Sequence, residues 1–237
     1  MCPDSAKARA LVAASRGRAA LSEHDAKDVL ACFGIAVPRR VLVSFGEPAA
    51  AAIAGLSPPF ALKVASADIL HKSDLGGVRL GLRCATEVQE AIAAMTTLLA
   101  DHPIEGWLIE EMAPAGPEIV IGGTVDPCFG PNVMVGLGGV LVELFEDVCF
   151  GICPLRASDA RRMLDSLRGV KLLRGFRAAP PANEDAVIET LMRVGGPDGL
   201  MPTLAGMVTE LDINPLIVSA QGAVAVDARI VLRGQGG

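Results

Sequence analysis

The chain has 237 residues, of which 51% are hydrophobic, 20% charged and 3% aromatic, with no tyrosine. That apolar content excludes intrinsic disorder, and a net charge of −6 with so few stacking rings argues against a nucleic-acid binder. Mean hydropathy is +0.45, yet the longest uncharged run, Pro127 to Val142, is 16 residues broken by proline, asparagine and glycine, too short and too interrupted to span a bilayer. Lys7, Arg9, Arg16 and Arg18 precede Leu21 without an apolar stretch, so no secretory signal is read and a cytoplasmic protein is expected. Six cysteines show neither metal-ligand spacing nor a dense disulfide framework, and Cys149 and Cys153 read as buried small side chains.

In chain order, residues 1–20 read as a flexible leader. Ser22 with Asp25 suggests a helix cap, followed by apolar residues at 26, 29, 30 and 33 and a stop at Gly34. Arg40 to Phe45 reads as a strand, Pro48 to Leu56 as a short helix, Phe60 to Val64 as a strand carrying Lys63, and Val78 to Leu82 as the next strand. Val88, Ile92, Met95 and Leu99 mark one face of a helix. Beyond Gly106 come glycine-punctuated strands at 107–112, 118–124, 132–135 and 147–152, then helices at 158–167 and 183–194. A β-hairpin closes the chain, Thr209 to Val218 and Ala223 to Ile230, turning at Gln221-Gly222. Two α+β lobes follow, an N-terminal one over 21–106 and a C-terminal one over 107–237.

Four clusters carry candidate chemistry. Lys63 is an ammonium on an apolar strand, where burial without a partner is costly, and a polar ligand would account for it. Downstream lie His71, Lys72, Ser73, Gly76 and Gly77. The glycine pair suits either backbone contact with phosphate or an ordinary turn, and His71 suits either a neutral nucleophile or a loop side chain. The second cluster, Glu110, Glu111, Met112 and Glu118 around a Pro/Gly bend, suits a purine nucleoside or a solvated crossing between lobes. In the third, Gly136 to Gly139 precedes Glu143, Glu146 and Asp147 and lacks the lysine and hydroxyl of a P-loop. In the fourth, Glu210, Asp212 and Asn214 alternate on one strand face, and the hairpin returns Asp227 toward Asn214. These hard oxygen donors suit Mg²⁺ shared with substrate phosphates.

Together the segments resemble the nucleotide-binding subunit of ADP-forming acyl-CoA synthetases of the acetate–CoA ligase type, related to the succinyl-CoA synthetase β subunit. The resemblance runs from Leu21 to about Leu232. It is carried by Leu21-Ser-Glu-His-Asp-Ala-Lys27, Leu62-Lys63-Val64, Ile69-Leu-His71-Lys72-Ser73-Asp74-Leu-Gly76-Gly77-Val78, Asp126-Pro-Cys-Phe-Gly-Pro131, Gly136-Leu-Gly-Gly139, Leu211-Asp-Ile-Asn214-Pro215 and Val226-Asp227-Ala-Arg229. Departures from the usual pattern are Val125 before Asp126, Ala178-Ala179 after Phe176-Arg177, and the break at Gly195 to Gly199.

The resemblance implies an ATP-grasp fold, two α+β lobes holding the nucleotide between them. It also implies that Lys63 contacts phosphates, that Glu110 to Met112 meet adenine through the backbone, and that Glu118 holds the ribose. Asn214 and Asp227 would ligate Mg²⁺, and His71 would carry the phosphoryl group with Glu210 or Asp212 orienting it. The implied cofactors are ATP/ADP and Mg²⁺. The implied partner, in a hetero-oligomer, is a CoA-binding and ligase α subunit bearing the other phosphohistidine. A non-catalytic nucleotide-binding regulatory module and another ATP-grasp carboxylate ligase are the alternatives.

Overall fold

The computed structural model describes residues 4–66, 72–139, 147–175 and 180–234. His71, Glu143, Glu146 and Phe176 to Ala179 lie outside the described residues. The chain forms two compact units, Pro38–Ala113 and, from two stretches, Met1–Val37 with Pro114–Gly237.

Alternation of apolar residues builds the smaller unit. Strands β1 (Arg40–Ser44), β2 (Phe60–Ala65), β3 (Val78–Leu82) and β4 (Gly106–Glu111) form an antiparallel sheet in the order β1-β4-β2-β3. Phe60, Leu62 and Val64 of β2, with Trp107 and Ile109 of β4, share a core with Val88, Ile92 and Met95. Those three project from one side of helix α4 (Ala85–Leu98), at the spacing of a helical face. A short helix, α3 (Ala49–Ala52), ends in a 3₁₀ turn before Leu56.

In the larger unit a long antiparallel sheet is packed on one face by helices. The strands are β5 (Glu118–Asp126), β6 (Gly130–Leu137), β7 (Val148–Ile152), β8 (Val208–Val218), β9 (Ala223–Ala225) and β10 (Arg229–Leu232), in the order β10-β8-β5-β6-β7, with β9 also on β8. The helices are α1 (Ser5–Ala14), α2 (Glu23–Cys32), α5 (Ala157–Asp165), α6 (Glu184–Gly195) and α7 (Leu200–Leu204). Ile119, Ile121, Val133, Val135, Leu211 and Ile213 from the strands join Leu164, Leu191, Val194 and Leu204 in its core. The neighbouring positions on β8, Glu210, Asp212 and Asn214, are exposed on the other face, as the period of two requires. Ser22 caps α2 by accepting the Asp25 N–H at 3.1 Å. Half-buried Cys149 and Cys153 pack against the core, and burial pushes the Cys153 thiol up to about 11, so it stays protonated and inert at neutral pH.

Several boundaries differ from the sequence reading. The expected flexible leader contains α1, whose Ala8 and Val12 are buried while Arg9 donates to the Thr203 carbonyl at 2.6 Å. Only Ala8 and Val12 are buried there, with Leu11 partly buried beside them, so little amphipathic rhythm is visible. Residues 21–37 belong with the second half of the chain, and β4 belongs with the first sheet because it pairs with both β1 and β2. The division therefore falls after Ala113, not at Gly106, since strand pairing rather than glycine texture decides membership. The expected strand Ala223 to Ile230 is two strands interrupted at Val226 to Ala228, and α7 follows the glycine break that ends α6.

Candidate functional site

Lys63 on β2 is buried and pairs with the Glu110 carboxylate at 3.1 Å. The expectation was that a polar ligand would account for the lysine; Glu110 partners it from within the sheet. Glu110 lies in mid-sheet between Arg40 and Ala61, and its carboxylate is buried with the ammonium it neutralises. The N–H of Met112, expected to face adenine, donates to the Pro59 carbonyl at 3.0 Å, while its sulfur accepts the Gly81 N–H at 3.2 Å. Glu111 accepts from Arg39 at 2.9 Å and from the Ser57 N–H at 2.8 Å, tying the strand end to its own unit.

The glycine pair after the Lys63 strand closes a turn. Gly77 N–H donates to the Lys72 carbonyl at 2.6 Å and Gly76 N–H to that of Ser73 at 3.1 Å. Both N–H groups are thus engaged inside the turn and are not presented as phosphate donors. Glycine is required sterically: Gly76 has φ +69°, and a Cβ on Gly77 would lie 2.8 Å from Val64 and 3.0 Å from the Lys72 carbonyl. His71, the expected phosphoryl carrier, is outside the described residues.

Glu118 opens β5 against the third cluster. Gly138 N–H donates to the Glu118 carbonyl at 2.6 Å. A Cβ on Gly138 would stand 2.8 Å from the Glu118 side chain, and one on Gly139 would stand 3.3 Å from its carboxylate. The glycine run therefore seats the acid expected to hold the ribose.

On β8 the register sets the fourth cluster. Leu216 faces Ala225 and Asp212 faces Arg229. Between these pairs the Val226 N–H donates to the Pro215 carbonyl at 3.1 Å, which places Asp227 opposite Asn214. Although Asp212 as a residue is open to solvent, partial desolvation of its carboxylate on the sheet face, then the charge of Asp227, raises the carboxyl above its ordinary range, with Arg229 opposing. Among the described residues no three His, Cys, Asp or Glu side chains converge to hold an ion, so a cation on Asn214 and Asp227 needs substrate phosphates to complete its shell.

A raised carboxylate pKa means that the folded state binds this proton more readily than the unfolded chain, so stability falls as pH rises through that interval. Asp212→Asn is therefore expected to raise the Tm of the nucleotide-free protein at neutral pH. The gain should vanish at pH values below the ordinary carboxylate range; equal gains at both pH values would contradict the assignment.

The sequence reading did not single out Arg229 or Thr124, and it named Asp147 only as an acid behind the glycine run. Arg229, quoted only within a motif, faces Asp212. Thr124 donates to Asn132 at 2.9 Å on the same face. Buried Asp147 accepts the Arg168 and Gly169 N–H groups, each at 2.9 Å, and ties the segment after α5 to the sheet. Asp147→Ala would strand these donors and cost about 1–3 kcal/mol, measurable as a lower midpoint of chemical denaturation. The available sequence signal for Arg229 was its register with Asp212; for Asp147 there was none, since its partners are 21 and 22 residues away.

A family model described as an ATP-grasp domain matches residues 12–232. The chain belongs to the ATP-grasp family. It is 37% identical over 226 residues to the acetate–CoA ligase [ADP-forming] II subunit beta of Pyrococcus furiosus, covering 93% of this chain and 94% of that one. The dinucleotide-forming acetyl-coenzyme A synthetase 1 of Ca. Korarchaeum cryptofilum, solved with coenzyme A and Ca-AMPCP, matches with a TM-score of 0.86 and 39% identity over 96% of this chain and 100% of that one. In another structure of that enzyme, with Mg-AMPPCP, a phosphohistidine segment points toward the nucleotide-binding site; it matches with a TM-score of 0.82 and 38% identity over 95% of this chain and 100% of that one. The ATP-grasp fold agrees with the expectation from sequence. No helix among the described residues is long and apolar enough to cross a membrane.

Proposed function

We propose that this chain is the nucleotide-binding subunit of an ADP-forming acyl-CoA synthetase, working with a CoA-binding partner to catalyse acyl-CoA + ADP + phosphate ⇌ carboxylate + ATP + CoA. The observation that carries this reading is the end-to-end correspondence with β subunits of ADP-forming acetate–CoA ligases. The conjunction of Asn214 opposite Asp227, beside Asp212 and Glu210, supports it with a donor set suited to nucleotide phosphates.

In this reading Lys63 meets phosphate oxygens. Its pairing with Glu110 neutralises the ammonium and fixes its position inside the sheet. Glu118, seated by Gly138 and Gly139, accepts from ribose hydroxyls. Asn214 and Asp227 hold Mg²⁺, which neutralises phosphoryl oxygens when it arrives with the nucleotide. His71 takes the phosphoryl group between the partner's histidine and ADP, and Asp212 or Glu210 orients an imidazole by accepting its N–H.

The deciding experiment combines this chain with a subunit carrying the CoA-binding domains, acyl-CoA, ADP, phosphate and Mg²⁺. ATP should form only when both chains are present. Tight ADP binding with no ATP formed would instead identify a non-catalytic nucleotide-binding module.

A further inference from the structure

Across the face of the larger sheet that carries Asp212, pairing aligns residues of five strands into rows. One row runs Phe150, Met134, Gly122, Asp212, Arg229; its neighbour runs Ile152, Asn132, Thr124, Glu210, Val231. All of these residues except Ile152 line a cleft of about 220 Å³. Its floor is open where Gly122 contributes no side chain; a Cβ there would lie 3.2 Å from the Met134 methyl. One side is apolar, with Met134 and exposed Phe150, and the other is ionic.

On the ionic side Arg229 stands out. It faces Asp212 directly in the pairing, yet among the described residues it makes no ion pair or hydrogen bond. Its guanidinium opposes the combined effect of burial and the Asp227 charge on Asp212. A cation within Coulombic reach of Asp212, with its N–H fork unengaged among the described residues, is suited to an anion entering from outside. Carboxylates alone would repel a phosphoryl dianion, whereas a planar guanidinium binds its oxygens two at a time.

We propose that Arg229 is a catalytic residue that grips the phosphoryl group delivered on the partner subunit's histidine-bearing segment, and that this cleft is where the segment docks. The proposal rests on the synthetase reading above. Both charges of such a segment are matched: Arg229 takes the phosphoryl oxygens, Asp212 or Glu210 accepts the ring N–H, and Phe150 and Met134 supply an apolar wall. Asn214 and Asp227 lie one repeat along β8 and its partner, about 7 Å away, so the gripped group is held beside the residues that serve the nucleotide. In the delivery step the P–N bond to the partner's ring breaks with its electron pair left on that nitrogen while a P–N bond forms to the neutral nitrogen of His71, and that second bond breaks in turn when a P–O bond forms to the terminal oxygen of ADP. The ring departs as neutral imidazole because its other nitrogen keeps its proton, hydrogen-bonded to the cleft carboxylate.

The test is single-turnover ATP formation from Mg-ADP and partner subunit already phosphorylated on its histidine. R229M should slow transfer by about 10²–10³-fold, as for loss of one preorganised charge-stabilising group. R229K should recover part of the rate with Tm and calorimetric ADP affinity at wild-type values, while R229M should keep its ADP affinity and lose only a little in Tm, as the Asp212 charge loses its counterweight. R229M transferring at the wild-type rate would overturn the proposal while leaving the synthetase reading intact. So would a fall in Tm or in ADP affinity large enough to account for the slower rate in both variants, because it would make Arg229 a structural group. A wild-type chain that forms no ATP would overturn the synthetase reading, and the proposal with it.

Discussion

His71→Ala is expected to abolish ATP formation from acyl-CoA, ADP and phosphate, with a loss on the order of 10⁴ or more. That is the scale set by deleting a nucleophile that forms a covalent intermediate. The argument is chemical. Phosphoryl transfer through an imidazole needs a neutral nitrogen at working pH, which histidine supplies, and no alanine side chain can replace the P–N bond. Affinity for Mg-ADP should remain, because the assigned nucleotide contacts, Lys63, Glu118, Asn214 and Asp227, are untouched. The measurement pairs steady-state ATP formation with calorimetry, and adds labelling by γ-labelled ATP in the presence of the partner. Acid-labile, base-stable label should appear on the wild-type chain and disappear in the variant. A variant as active as wild type would remove His71 from the relay.

Glu23→Ala is expected to be the most destabilising single substitution considered for this protein. Glu23 and Lys27 sit one turn apart on α2, joined at 2.8 Å, with side-chain exposures of 6% and 0%. Both ions are out of water, so losing either one removes a close counter-charge from the other. Removing the carboxylate leaves a buried ammonium facing the cavity of its former partner. Breaking such a pair costs about 3–5 kcal/mol, a fall of roughly 6–20 °C in Tm at this chain length. Replacing both residues by leucine should restore most of the loss, because well-packed apolar side chains often equal a buried pair. A double variant no better than the single one would mean that the two charges do not act as a unit.

The elements were legible where side chains alternate or repeat strongly. The Ser22 cap, β2, α4 and the period of two on β8 all follow from local patterns, and the hairpin turn at 221 and 222 let the return of Asp227 toward Asn214 be read from sequence. What was illegible is long-range. Lys63 was visible as a buried lysine, but Glu110 could not be chosen as its partner without knowing that β2 pairs with β4. Lys27 was hidden for the opposite reason: it occupies a core position of a helix whose apolar residues already made a coherent face, and nothing local distinguishes a buried lysine from a solvated one. Gly76 and Gly77 illustrate a third case, where composition indicated a special backbone but not whether its N–H groups serve the turn or a ligand.

The order of strands also bears on how the protein is made. Leu21 N–H donates to the Ile230 carbonyl and Leu232 N–H to that of Ala19, so a segment that precedes β1 rests on β10, which is synthesised after every other described strand. The smaller unit is contiguous, and its sheet can close once β4 is synthesised. The larger unit must wait, its first 37 residues held without their strands until β8 and β10 appear. The nascent protein therefore carries a finished insert inside an unfinished host, and the apolar faces of α1 and α2 stay exposed until β8 and β10 are made.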